Sequence, residues 1–483
     1  MAERPDILII MPDQMRADCM GCAGNDLIET PNLDRLAESG VRFSRCSSSS
    51  PVCMPARYSF VSGTYPHSHG MWSNAGCQDP FDETIFHRLR DAGYFTAHIG
   101  KSHFYQQGDM DARDWEPYMR ARGYDHVHET AGPWANTRMR SYMTDHWQER
   151  GGLWDAYRED YRRRREHDGP AVWPSPHPVD EYQDSYVGRV ARDFVSEYDR
   201  DEPMCMFVGF PGPHEPWDAP GEYAEMYDPE EMTDPIPPSE APEWLSPAAR
   251  EHHALLHSAP TDPADARRMA ANYYGKITLI DRWIGEILHA QQTRRSLDET
   301  IVIVWSDHGE MLGDHGRVHK SVFFRSAVQV PLIVRWPGMG AGVVRDELCS
   351  QIDLFPTLLD GLGVEPSQRA MGRSLMSALR DEPAPGDQEA LGEIDRYSMI
   401  QTPRYKYVVD DRGDGVQLFD TEEDPDETVN LCGREEMAGV EAEMRDRLLR
   451  FWARTQARRP FPTDRGVRER GTMPRMLTET TNH

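Results

Sequence analysis

Cys53-Met54-Pro55-Ala56-Arg57 sets a thiol, a proline and a guanidinium within about one helical turn. A serine-rich segment precedes it, and Pro55 to Ser62 followed by Gly63 reads as a capped helix with proline in its first turn. Cys53 then stands at or just before a helix N-terminus, where free N–H groups and the helix dipole favour anionic oxygen. Arg57, one turn on, adds charge-assisted hydrogen bonds. Other reactive residues each follow a strand-like run. Ile7 to Met11 leads to Asp13, Tyr94 to Ile99 to Lys101 and His103, Met204 to Phe210 to His214, and Ile301 to Trp305 to Asp307 and His308. Asp13, Asp307 and His308 offer two hard oxygen ligands and an imidazole, a set suited to one divalent cation. Lys101 and Lys320 beside that cation make a pocket for a dianionic oxyanion.

For these residues to meet, their strands must lie side by side and end together, as in open α/β sheets whose ligands bind beyond the carboxyl ends of the strands. The alternation of apolar runs with helical patterns predicts α/β architecture, a large, mainly parallel sheet flanked by helices. Thr30 reads as an N-cap, Pro31 as a first helical residue and Gly40 as a stop. Tyr274, Ile277, Ile280, Ile284 and Leu288 predict a long helix from Ala270 to Leu288. Residues 1–381 read as the catalytic domain, interrupted by insertions near 109–180 and 211–263. The first insertion is rich in Trp, Tyr and Arg. Its run Arg162 to Arg165 reads as a solvated helix face, and its aromatic rings either pack against the core or form a pocket for an apolar group or a quaternary ammonium such as choline. Residues 382–483 read as a smaller α+β unit with a small antiparallel sheet and a terminal helix or tail. Tyr405 to Val409 and Val416 to Phe419 form its hairpin.

The 483 residues carry a net charge of −28, which disfavours nucleic acid and acidic membrane surfaces as partners. No apolar run has the length of a membrane span. Met1 to Asp6 enters the first strand without a leader pattern, so a cytoplasmic location with eight free thiols is expected, Cys19 and Cys22 among them as loop residues. His67 and His69 read as turn residues, His252, His253 and His257 as solvated, and Asp314 and His315 as groups that order their loop.

The chain resembles the sulfatase family of the alkaline phosphatase superfamily. The likeness rests on Pro12-Asp13-Gln14, Thr30 to Leu36, Cys53 to Arg57, Gly100-Lys101-Ser102-His103, Pro213-His214-Glu215-Pro216, Ser306-Asp307-His308-Gly309-Glu310 and Lys320. Leu418-Phe419-Asp420, Asp424-Pro425 and Asn430-Leu431 resemble the family's closing motif. The resemblance implies an alkaline phosphatase-like fold and hydrolysis of small-molecule sulfate esters. It implies that a maturation enzyme oxidises Cys53 to Cα-formylglycine, whose hydrate is the nucleophile. Asp13, Gln14, Asp307, His308 and residue 53 then hold the cation. Arg57 and His103 stabilise or deprotonate the hydrate, Lys101 and Lys320 bind sulfate oxygens, and His214 protonates the leaving alcohol or binds sulfate. Asn74 is a further candidate for substrate contact.

Gln14 and His308 stand where many sulfatases carry an acid and an asparagine. This resembles the branch of choline sulfatases, phosphonate monoester hydrolases and promiscuous arylsulfatases. A less anionic site admits phosphonate monoesters and phosphodiesters as alternatives, and an imidazole ligand makes Mn²⁺ or Zn²⁺ credible beside Ca²⁺. The branch also implies a dimer or tetramer. With Cys53 unoxidised, the same site implies a non-catalytic, metal-dependent oxyanion-binding protein.

Overall fold

Asp6-Ile-Leu-Ile-Ile-Met-Pro-Asp13 is buried along its whole length, which is why it reads as a continuous apolar run rather than an alternating one. In the computed structural model, which describes residues 4–256, 261–383 and 388–455, this strand lies inside an eight-stranded sheet. The strands are β1 (Asp6–Asp13), β2 (Val41–Phe43), β3 (Phe95–Lys101), β4 (His126–Thr130), β5 (Met204–Pro213), β6 (Thr300–Trp305), β7 (Leu332–Arg335) and β8 (Val343–Arg345). Their order is β8-β2-β7-β6-β1-β5-β3-β4, and only β7 runs against the others.

The helices are α1 (Pro31–Glu38), α2 (Cys53–Ser62), α3 (Leu153–Glu166), α4 (Gln183–Glu197), α5 (Pro247–Leu256) and α6 (Pro263–Arg294), of which α1, α2, α4 and α6 cover the two faces of the sheet. Because strand side chains alternate, Ile7, Ile9 and Met11 join Met54, Tyr58 and Phe60 of α2 on one side. Leu8 and Ile10 join Leu33 of α1, Val187 of α4 and Ile277 and Ile284 of α6 on the other. Register brings the strand ends level. Ile10 pairs with Val304 of β6 and Val208 of β5, and Val208 pairs with Ile99 of β3.

The C-terminal unit is an antiparallel sheet of β9 (Ala390–Ile394), β10 (Tyr397–Gln401), β11 (Tyr405–Asp410) and β12 (Gly415–Asp420), with α7 (Ala438–Thr455) on one face. The expected hairpin is β11–β12. Among the described residues, no helix is long and apolar enough to cross a membrane, and the eight cysteines are unbridged.

Several local expectations need correction. Thr30 precedes α1, but its hydroxyl bonds Gly21 N and Asp34 instead of capping the helix. The cap comes from Asp281 of α6, whose carboxylate accepts from Asn32 N and Leu33 N. Residues 126–130 lie within the first stretch expected to be an insertion, yet they form the edge strand β4. Arg164 is not on a solvated face: it is 3% exposed and paired with Asp160 at 2.5 Å. His252 and His253 are buried, because α5 packs against the C-terminal sheet, and burial pushes His252 down to about 4. His257 lies outside the described residues.

Candidate active site

β1, β6 and α2 deliver four potential ligands to one point. Single ligand atoms of Asp13, Cys53, Asp307 and His308, all buried, lie within 4.8 Å of one another. Cys53 is the first residue of α2, whose N-terminus receives Asn74 Oδ1 on Met54 N at 2.9 Å. Cys53 Sγ is 3.1 Å from His308 Nε2. The other ring nitrogen, Nδ1, lies 3.0 Å from Gly309 O and donates to it, which turns Nε2 toward the cluster.

Arg57 faces the carboxylates from behind. Its Nε is 2.8 Å from Asp307 and its Nη2 3.0 Å from Asp13, while Nη1 donates to the carbonyls of Lys101 and Ser102. Lys101 Nζ also contacts Asp13 Oδ2. Asp13 Oδ1 is left with no cation of Lys or Arg beside it among the described residues, facing Cys53 Sγ and His308 Nε2, each at 3.9 Å. Two carboxylates, an imidazole and a sulfur converging in a buried site, with Asp13 Oδ1 bonded by neither Arg57 nor Lys101, fit a divalent cation.

The electrostatics agree with that fit. Burial opposes ionisation of the Cys53 thiol, yet Lys320, His308 and Lys101 hold it well below the ordinary thiol range. Burial and Cys53 oppose ionisation of Asp13 too, but Lys101 and Arg57 hold its carboxyl low. His308 is pushed down by burial and up by Asp307 and Cys53, and the net result is about 9. Proton and cation compete for the same Nε2.

A second group forms the outer edge. His214, just beyond β5, has Nδ1 2.8 Å from Glu215 O and Nε2 2.7 Å from Lys320 Nζ, so Nε2 accepts from the ammonium. His103 lies beside Cys53, and burial lowers its pKa. Gln14 differs from its expected place. Its backbone N–H donates to Asp307 at 3.0 Å, but its amide oxygen accepts from Lys320 and its amide nitrogen donates to Glu310 and Glu215.

Glu215, Glu310 and His319 are the residues that sequence reasoning missed. They form a second cluster of ligand-type atoms within 4.8 Å. Glu215 and Glu310 stand inside two of the quoted family motifs and His319 adjoins Lys320, but the sequence singles out none of the three as a site residue. Gln14, His103, His319 and Ser321 all hold positive φ, from 55° to 72°. Left-handed non-glycine residues cost energy and gather where geometry is dictated by function.

The profile described as Sulfatase matches residues 5–364. The chain belongs to the sulfatase family. A further profile, described as N-sulphoglucosamine sulphohydrolase, C-terminal, matches residues 313–454. This sulfatase is similar to an arylsulfatase of Clostridium perfringens (strain 13 / Type A), 29% identical over 456 residues, covering 90% of this chain and 91% of the relative. It is 29% identical over 442 residues to a choline-sulfatase of Rhizobium meliloti (strain 1021), covering 89% and 82%. The crystal structure of the phosphonate monoester hydrolase of Agrobacterium radiobacter superposes with a TM-score of 0.77 at 25% identity, covering 94% of this chain and 96% of that one. The fold is therefore the alkaline phosphatase-like α/β fold expected, and the activity is that of a sulfuric ester hydrolase.

Proposed function

We propose that sulfate monoesters are hydrolysed at the crevice where residue 53 meets Asp13, Asp307 and His308, with residue 53 as Cα-formylglycine. The supporting observation is the convergence of Cys53, at the start of α2, with three metal-type ligands and the His214–Lys320 pair. When bound, the cation (Ca²⁺ first, Mn²⁺ or Zn²⁺ otherwise) supplies Lewis acidity, while the aldehyde allows the sulfated intermediate to be released by elimination. Asp13, Asp307, His308 and residue 53 would hold that cation, and Gln14 would join them only by giving up its contacts with Lys320, Glu215 and Glu310.

Arg57 fixes the two carboxylates from behind, leaving Asp13 Oδ1 turned inward. His103 takes the proton from residue 53. Lys101 and Lys320 bind the sulfate oxygens, and Asn74, anchored on Met54 N, lies beside the nucleophile to meet the substrate. His214 Nε2, 2.7 Å from the Lys320 ammonium, takes a proton from it and passes that proton to the leaving alkoxide oxygen. The protein works with a maturation enzyme for Cys53, in the cytoplasm, as a dimer or tetramer.

Hydrolysis of phosphonate monoesters by the same groups is the second reading, supported by the neutral Gln14 and the solved structural relative. Parallel rates on 4-nitrophenyl sulfate and a phenyl phosphonate ester test the order. Higher kcat/KM on the sulfate is expected, and higher kcat/KM on the phosphonate would reverse it.

A further inference from the structure

A cavity of about 490 Å³ shares Glu215 and His319 with the outer edge of the active site. Trp217 forms one wall, stacked on His319 with ring centroids 5.9 Å apart and planes 17° from parallel. Trp134 faces the same cavity, with the Arg165 guanidinium 5.3 Å from its ring centroid, and Pro170, Ala171 and Pro216 are among the other lining residues. Most other rings of this region, including Trp115, Tyr118, Trp147, Tyr157 and Tyr161, are buried in packing. Trp134 is left as the aromatic contribution of the region to the cavity.

The walls are fixed before any ligand arrives. The buried Arg164 donates to the carbonyls of Ala171, Trp217, Trp173 and Pro174, and so ties the turn after α3 to the segment after β5. Asp160 holds Arg164 in place and also accepts from Trp173 Nε1 at 2.9 Å. Such preorganisation lowers the ordering cost of binding.

Charge then selects among planar or cationic guests. Glu215 is the carboxylate in the lining, and it is already engaged by His214 at 3.0 Å, Gln14 at 2.9 Å, His319 at 3.5 Å and Lys320 at 4.0 Å. Arg165, by contrast, makes no ion pair among the described residues. The uncompensated charge beside Trp134 is therefore positive, which disfavours a quaternary ammonium despite the aromatic walls.

We propose that this cavity seats the leaving group of the ester as a planar aromatic alcohol, and that Arg165 favours one bearing a carboxylate. The assignment of the cavity to a leaving group rests on the sulfatase reading of the neighbouring site.

The test is calorimetric titration of the full chain with 4-hydroxybenzoate, phenol and choline, which needs no turnover. We expect 4-hydroxybenzoate to bind about tenfold more tightly than choline. Trp134→Ala should weaken both phenols about tenfold, and Trp134→Phe should restore most of that loss. Arg165→Ala should weaken 4-hydroxybenzoate about fivefold and bring it close to phenol. Since Arg165 is exposed and Trp134 half-buried, these variants should fold, and their melting curves check it. In matured protein, KM for 4-carboxyphenyl sulfate should rise in the same order. Tighter binding of choline, or unchanged binding of 4-hydroxybenzoate in Trp134→Ala, overturns the assignment. Absence of turnover on every ester overturns the sulfatase reading instead, and the titrations still decide what the cavity binds.

Discussion

The inner cluster of Asp13, Cys53, Asp307 and His308 and the outer cluster of Glu215, Glu310 and His319 each bring two carboxylates and an imidazole within 4.8 Å, and the inner one adds a sulfur. They differ in where the hydrogen-bond donors sit. In the inner cluster Arg57 grips both carboxylates from behind and Lys101 pairs with Asp13 Oδ2, and Asp13 Oδ1 still points into the shared space. In the outer cluster the Gln14 amide donates to both glutamates and Lys320 lies beside Glu215, so donors already occupy the centre. The inner residues are sealed, whereas His319 leaves 46% of its side chain exposed. Ligand chemistry alone therefore does not distinguish the two clusters; the arrangement of hydrogen-bond donors around them does. The outer cluster instead holds Gln14, His214 and Lys320 in position.

The largest effect expected from this contrast is at Asp13. Asp13→Asn should remove bound cation and lower kcat/KM by about 10³ or more, roughly 4 kcal/mol. It should also destabilise the fold by about 3–5 kcal/mol, since Arg57 and Lys101 lose a buried counter-charge. Metal analysis, kinetics and denaturant unfolding read the three effects. Cation binding to the wild type should raise stability by about 2.7 kcal/mol at a hundredfold excess over Kd. That gain should survive Glu215→Gln and vanish in Asp13→Asn; the opposite pattern would exchange the roles of the clusters. Glu310→Gln should cost about 10–100-fold in kcat/KM while one cation per chain remains, as expected for a group acting through its neighbours. Asn74→Ala should be mildest in stability, costing about 1 kcal/mol through the lost cap on α2. A full loss of fold there would mean that the helix start depends on more than this contact.

The four strand-to-residue connections were legible because each apolar run has strand length and ends at a side chain able to do chemistry. The sheet then had only to set Ile10, Val208, Ile99 and Val304 in one row. What stayed hidden depends on distant partners. Asp281 caps α1 from another helix, and His252 is buried by a sheet more than a hundred residues away in the chain. Arg164 looked solvated within an arginine run, yet its partners are carbonyls of two other segments. Glu215, Glu310 and His319 look like ordinary loop residues one at a time, and only the fold gathers them.

The proposed nucleophile is Cα-formylglycine at residue 53. Protein that hydrolyses a sulfate ester should be digested and the peptide spanning residue 53 weighed. A peptide about 18 Da lighter than the cysteine form is the result this account requires. Fully active protein in which that peptide carries only cysteine would contradict it.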